Sequence, residues 1–384
     1  MSIILIRPVS FRLGAEEQDG QALEGILSSV ADILHVFQIS KNPGWLIHRS
    51  YSSGSLITEG ELELKKKSSV ASLFARLFIL DSAARSYLRL NIAETISDHL
   101  ITHGLHADLV ISHTSALAGV SKLIDSRNRI SRSVNFEPIH YLQENKFSLK
   151  SPLVFAGKIW LSFFERLFFD VWVISPNDLK SYSLFCSTKD IDLFPLFQLF
   201  DIPEIPSTDS SEVLNVGYLG STYSVTHNRA SFDFITQELA PTLLKLGQKN
   251  IHFNIYGVKS PDIQSLPNLT IHGWKESTEE IFVENDLFIV PYFGGTGMQS
   301  KLFEPIVRGK PVIANPKAFA GYPFVSDCHY FSAVTLDDFV RILVQLIRGD
   351  LLPEANLAKT RLIVEGMFSL TQVKHRLKQL LLKL

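Results

Sequence analysis

The chain has 384 residues, too many for one compact core and enough for two domains of ordinary size. Hydrophobic residues make up 46% and charged residues 20%, the balance of a folded chain, and a formal net charge of -2 lacks the basic footprint of a nucleic-acid partner. The two cysteines, Cys186 and Cys328, lie far apart with no Cys-x-x-Cys spacing, which argues against a disulfide framework or zinc site and fits a reducing compartment.

Residues 3–6 form a short apolar run that reads as a strand rather than the longer core of a signal peptide. No run reaches the ~20 apolar residues needed to span a bilayer, so a cytoplasmic location is expected. The nearest approach, 152–174, is interrupted by Lys158, Glu165, Arg166 and Asp170. Its Trp160, Phe163, Phe164, Phe168, Phe169 and Trp172 fall at near-helical spacing. A buried amphipathic helix explains them; a surface touching the inner face of a membrane is the alternative.

Buried strands are expected at 3–6, 109–112, 133–136 and 171–175, then at 213–218, 252–256, 270–272, 287–290 and 311–314. Helical patterns lie between them at 69–99, 229–246 and 304–308, and a helix begins at Ala22 after a loop from Gly14 to Gln21. Such alternation predicts βαβ units and two α/β domains with parallel sheets. The expected division is a first domain over 1–200, a linker over 201–211, a second domain over 212–352 and a helical segment over 353–384 that packs back on the first domain. Pro203, Pro206 and the serine-rich tail after them mark the linker. Open α/β sheets bind ligands beyond the carboxyl ends of their strands, so a cleft between the domains is the expected site.

After the strand 287–290 comes Gly294-Gly295-Thr296-Gly297-Met298-Gln299-Ser300-Lys301, then Glu304 and Pro305. Glycines let a backbone approach a ligand closely, and a following helix turns its free N–H groups toward phosphate. Lys301 adds a point charge, and Glu304 can accept hydrogen bonds from ribose hydroxyls. Proline is tolerated in a first helical turn, so the regular helix is expected to start between Lys301 and Glu304 and to end at Arg308-Gly309. An ordinary strand-to-helix turn is the plain alternative for the glycines alone.

With the continuation Gly309-Lys310-Pro311-Val312-Ile313-Ala314, this segment resembles the donor-binding half of GT-B glycosyltransferases, especially retaining family 4. The resemblance extends across the second domain. Val216-Gly217-Tyr218-Leu219-Gly220-Ser221 resembles its first strand and glycine turn, Asn228-Arg229 the start of the next helix, and Tyr256-Gly257 the end of the second strand. His272-Gly273-Trp274 resembles the nucleobase loop. The implied fold is two Rossmann-like domains facing across a cleft. The implied donor site comprises Gly14, Gly220, Ser221, Arg229, Gly257, Trp274, Gly295, Thr296, Gly297, Met298, Gln299, Lys301 and Glu304. Many members carry two glutamates in this loop. Here Thr296 occupies the first position, and Gly297, Gln299, Lys301 and Glu304 fit a Gly-x-Gln-x-Lys-x-x-Glu subgroup instead.

In the first domain the resemblance is thinner. His113 ends a strand as in the family, and Glu137, with His140 one turn on, stands where related enzymes place a group near the reacting sugar carbon. Glu137, His140 and His113 are therefore the candidate catalytic residues, Glu137 first; His113 reads equally as a hydrogen-bonded structural residue. A carboxylate there could take the acceptor proton or stabilise oxocarbenium-like charge. Asp190-Ile191-Asp192 is read as a surface pair rather than a metal motif.

The expected activity is metal-independent, retaining transfer of a sugar from a UDP- or GDP-sugar, a co-substrate rather than a cofactor, to a saccharide or lipid-linked acceptor. A scaffold subunit that has lost catalysis and a sugar-nucleotide epimerase are the alternatives; oligomeric state is left open. Lys65-Lys66-Lys67 fits either a solvated charge run or a membrane-proximal surface.

Overall fold

A computed structural model describes residues 1–8, 15–42, 44–66, 69–144, 150–195, 213–263, 265–275, 277–294 and 299–384. The chain divides into two compact units, Met1–Leu199 with Lys374–Leu384, and Phe200–Val373. The expected linker, 201–211, lies outside the described residues, as do Gly14, Gly295, Thr296, Gly297 and Met298.

The first unit is built on an eight-stranded sheet: β1 (Ser2–Arg7), β2 (Ile33–Ile39), β3 (Trp45–Ser52), β4 (Ser55–Glu63), β5 (Leu109–His113), β6 (Asn128–Ser133), β7 (Asp170–Val173) and β8 (Ile191–Leu193). Their order is β4-β3-β2-β1-β5-β6-β7-β8, parallel from β2 to β8, with β3 and β4 attached antiparallel at one edge. Ile4, Ile6, Val110 and Ile130 are fully buried in its centre. The β3–β4 hairpin is not foreseen from the sequence because β4 is almost wholly exposed and β3 only partly buried, so neither forms a buried apolar run. Its signal is in the turn, where Ser53 and Gly54 both take positive φ, as a two-residue hairpin turn requires.

Two expectations shift here. The strand placed at 133–136 is β6 instead, ending at Ser133, because the sheet buries a polar sequence whose Ser131 and Arg132 find hydrogen-bond partners inside. The single helical stretch 69–99 is three helices, Val70–Phe78, Ser82–Arg89 and Ile92–Thr102. Asp81 caps the second by accepting from Ala84 N, and Asn91 turns the chain with φ 55° before the third.

The second unit carries β9 (Leu214–Thr222), β10 (Ile251–Val258), β11 (Leu269–Gly273), β12 (Leu287–Val290), β13 (Val312–Ala314) and β14 (Phe331–Ser332), all paired in parallel. Their order, β11-β10-β9-β12-β13-β14, is the doubly wound dinucleotide-fold order. Val216, Ile255, Ile289 and Ile313 fill the sheet's core with Phe232, Ile235 and Leu343 from helices. After β9 the chain winds toward β10, and after β12 toward β13, so the switch point lies between β9 and β12.

The C-terminal stretch divides by its contacts. In helix Glu354–Met367, Thr360 Oγ1 donates to His329 O at 2.9 Å, within the second unit. The end of helix Leu370–Leu381 joins the first unit, where Arg376 Nη2 donates to Leu193 O and Lys383 Nζ to Asp192 Oδ1 at 2.6 Å.

Candidate functional site

At the switch point of the second unit, the end of β9 is shaped around one tyrosine. Tyr223 donates its hydroxyl to Tyr256 O at 2.8 Å, and its ring end fills the space a side chain at Gly220 would need: a Cβ there would lie 2.1 Å from the Tyr223 oxygen. Ser221 takes φ 58° and Gly257 φ 143°, and a Cβ on Gly257 would meet both the Tyr223 ring and the Ser221 backbone. Gly220, Ser221 and Gly257 are thus brought together, and packing gives both glycines a reason to be glycine apart from any ligand.

The next helix, Thr226–Asp233, begins beside this turn. Asn228 is buried, donates from Nδ2 to Thr222 O at 3.1 Å, and accepts from Lys301 Nζ at 3.0 Å. The same ammonium stands 5.7 Å from the centre of the Tyr218 ring. Arg229 points elsewhere, pairing with Asp233 at 2.9 Å on an exposed helix face.

Lys301 and Glu304 come from helix Ser300–Val307. The helix starts one residue before the expected interval, and Pro305 is its sixth residue rather than part of the first turn. A proline there cannot donate to the Lys301 carbonyl, so the helix tolerates a missing bond close to its start. Gln299 precedes it, donating from Nε2 to Gly294 O at 3.2 Å, while Tyr322 donates its hydroxyl to Gln299 O at 3.2 Å. Gln299 Oε1 is buried with no hydrogen-bond partner among the described residues, an acceptor open to a ligand hydroxyl or N–H.

Glu304 is largely buried. Burial pushes its carboxyl upward, and Arg308, with Nε 3.7 Å away, opposes that shift. Arg308 also donates to Glu279 at 2.5 Å and lies over the Phe282 ring. Trp274, after β11, is 45% exposed, leaving part of its ring open. Asn228, Tyr223 and Arg308 complete this constellation. Asn228 had a sequence signal in its place at a helix start and Arg308 in its i,i+4 spacing from Glu304, whereas Tyr223 is fixed by the distant Tyr256 carbonyl.

In the first unit, His113 closes β5 and is buried, with Nε2 3.0 Å from Asp19 Oδ2. Asp19 lies in helix Ala15–Ser28, which covers most of the stretch read as a loop. Burial alone would raise the Asp19 carboxyl, but Arg132, at 2.6 and 3.0 Å, and His113 together hold it well below the usual carboxylate range. An ionised Asp19–Arg132 pair thus fixes the His113 ring. Glu137 begins helix Glu137–Glu144 and accepts from Lys158 Nζ at 2.7 Å. His140, one turn on, is partly buried; beside it burial raises the Asp178 carboxyl, against hydrogen bonds from Ser175 and the Phe136 backbone.

A polar pocket of roughly 360 Å³ adjoins the ends of β1 and β2. In it Glu24 accepts from Arg7, from Arg49 at 2.7 and 2.9 Å, and from the Tyr51 hydroxyl at 2.7 Å, with Gln38 also bound to Arg49. Among the described residues no group of three or more His, Cys, Asp or Glu is arranged to hold a metal ion.

Residues 214–347 match the family model described as Glycosyl transferases group 1. No curated protein matches the chain. Among solved structures, sucrose-phosphate synthase from Thermosynechococcus elongatus is similar at 14% identity and TM-score 0.62, covering 100% of this chain and 98% of that one. HepE from Anabaena in complex with UDP is similar at 13% identity and TM-score 0.62, with 100% of both chains covered. The lipopolysaccharide outer core galactosyltransferase WaaB, in its apo form, is similar at 13% identity and TM-score 0.56, again over 100% of both chains. The chain has the GT-B fold, two α/β units with largely parallel sheets.

Proposed function

We propose that this chain, whose residues 214–347 form a group 1 glycosyltransferase domain within a GT-B fold, transfers a sugar from a nucleoside diphosphate donor to an acceptor hydroxyl in the cytoplasm. The observation that carries this reading is the Lys301–Asn228 contact beside the Gly220-Ser221 turn at the switch point, where a doubly wound sheet takes its ligand. Lys301 supplies charge to the diphosphate, and Glu304 accepts from the ribose hydroxyls. The Gln299 acceptor lies in the same loop, and the exposed part of Trp274 offers a face for the base. HepE has been solved in complex with UDP and with UDP-glucose, which favours a UDP-sugar over a GDP-sugar.

A helix start and an ammonium can neutralise a diphosphate in place of a metal, so we assign the transfer no metal requirement. Retention of anomeric configuration rests on resemblance to family 4. Glu137 is the leading candidate for the group that assists the acceptor, held in place by the Lys158 contact; His140 follows, and His113, clamped by Asp19, is better placed to hold the chain than to move a proton. Fixed carboxylate, guanidinium, amide and phenol groups around Glu24 suit the hydroxyls of a saccharide acceptor.

Thermal stabilisation by a panel of UDP-, GDP-, ADP- and dTDP-sugars identifies the donor, and release of the nucleoside diphosphate in the presence of saccharides tests transfer. Stabilisation without any release would point to a binding subunit, the reading that Thr296 in place of a glutamate keeps open. Absence of both would overturn the assignment.

A further inference from the structure

In the first unit, helix Val70–Phe78 has its polarity reversed with respect to the protein it sits on. Apolar residues recur at i, i+3, i+4, i+7 and i+8 from Val70, the spacing that normally seals a helix to its core. Here that stripe faces outward: Val70, Leu73, Phe74, Leu77 and Phe78 are 50–70% exposed, and Leu80 follows at 53%. The inward face is mixed: Ala75 and Ile79 pack into the apolar core, and polar groups lie beside them. Ser72 is fully buried and donates to Leu88 O at 3.2 Å, and Arg76 donates to the same oxygen at 2.8 Å. Buried Ile79 ends the helix, and the Trp160 indole donates to Phe78 O. The helix is therefore fixed by Ser72, Ala75, Arg76 and its end, while its apolar stripe meets water, an arrangement that single exposed hydrophobics on a monomer do not produce.

The segment that carries the stripe is basic in sequence. From Leu64 to Leu80 the sequence holds Lys65, Lys66, Lys67 and Arg76 and no acidic residue. Two carboxylates approach from the helix Ile92–Thr102: Asp98 pairs with Lys65 at 2.8 Å, and Glu94 accepts from Ser69 N and Oγ at 2.9 Å. Lys66 is exposed beside the helix start. An apolar stripe with basic residues at its border, and a tryptophan 40% exposed next to it, matches the interfacial region of an anionic bilayer.

We propose that helix Val70–Phe78 docks the first unit on anionic membrane surfaces, lying in the interface with Phe74 and Leu77 inserted and Lys66 near the headgroups. The proposal is independent of the sugar transfer, since it rests on this surface alone. It is tested by co-sedimentation of the full chain with phosphatidylcholine vesicles, with and without about one third phosphatidylglycerol. The wild type is expected to sediment with the anionic vesicles and much less with the neutral ones. Phe74→Ser/Leu77→Ser should weaken partitioning by about tenfold or more, because two inserted side chains are lost. Lys66→Glu should weaken it severalfold and flatten its salt dependence. Unchanged melting temperature and unchanged thermal stabilisation by UDP would show that the variants still fold. Absence of wild-type binding to anionic vesicles, or undiminished binding by the folded double variant, would overturn the proposal. So would a wild-type dimer in light scattering that the double variant dissociates, which would assign the stripe to a second copy of the chain.

Discussion

Lys301 Nζ stands 3.0 Å from Asn228 Oδ1, joining the helix after β12 to the helix after β9 across the switch point of the second sheet. The amide holds the ammonium in position at the switch point. Lys301→Ala should weaken binding of UDP by ~1.5–3 kcal/mol, the scale of a charge-assisted hydrogen bond. Asn228→Ala should weaken it less, because the charge remains but loses its position. Calorimetry of both variants checks this, and unchanged affinity in Lys301→Ala would remove the site assignment.

Gly220 makes a sharper structural demand. A methyl group there would overlap the Tyr223 hydroxyl, which is held by Tyr256 O. Gly220→Ala should therefore lower stability by about 1–3 kcal/mol, the usual cost of overpacking. Gly220→Ala/Tyr223→Phe should recover part of that loss. A lone alanine variant that melts like the wild type would contradict the packing described for this turn.

The second unit was the more legible half, and the reason lies in its chemistry. Its strands are apolar runs ended by glycines, so Val216 to Ser221 and Leu287 to Val290 show both the element and the place where a ligand approaches. The first unit hides its logic in buried polar contacts. Asp19 and Arg132 lie 113 positions apart, and neither stands out until the fold brings them together. β6 is misplaced for the same reason, since Arg132 and Ser131 read as surface residues. Helix Val70–Phe78 shows the opposite failure. Its spacing is that of a core helix, and periodicity alone cannot say which side of the stripe meets the protein.

Glu304 should respond to pH in a definite direction. Burial raises its carboxyl and Arg308 opposes the shift, with a net rise. Binding through two accepted hydrogen bonds needs the ionised form, so UDP affinity should fall as acidification passes through that raised value. Glu304→Gln should bind more weakly at neutral pH, by about 1–3 kcal/mol, and lose the pH dependence. A glutamine variant with wild-type affinity and the same pH profile would dismiss Glu304 as a ribose ligand.

Glu137 is expected to matter for turnover rather than donor binding. Glu137→Gln keeps the shape and a weaker contact to Lys158 while removing the negative charge. Loss of a group assisting proton transfer typically costs on the order of 10²–10⁴-fold in rate. The donor-stabilised melting temperature should stay at the wild-type value. Normal turnover in this variant would move the search to His140.

Glu165 makes the stability of the first unit depend on pH. It is fully buried and accepts from Ser131 Oγ at 2.6 Å and Tyr182 OH at 2.7 Å. Burial pushes its carboxyl up to about 7, more than those two donors can offset. A carboxyl whose folded value lies above its unfolded one binds its proton more tightly when folded. The resulting stabilisation, about 3 kcal/mol, is complete below pH ~4.5 and is lost as pH rises through 7. His48 acts in the opposite sense. Burial, then the charges of His99 and His35, lower it to about 4, so its contribution is lost as pH falls below 6.5. That ring is only partly buried, and screening makes its effect the smaller. Glu165→Gln preserves the acceptor oxygen and cannot ionise. Urea midpoints of wild type and variant should therefore diverge in the variant's favour between pH 5 and 8, with His48 cancelling in the difference. A difference that stays constant over that interval would mean Glu165 carries the same charge on both sides of it.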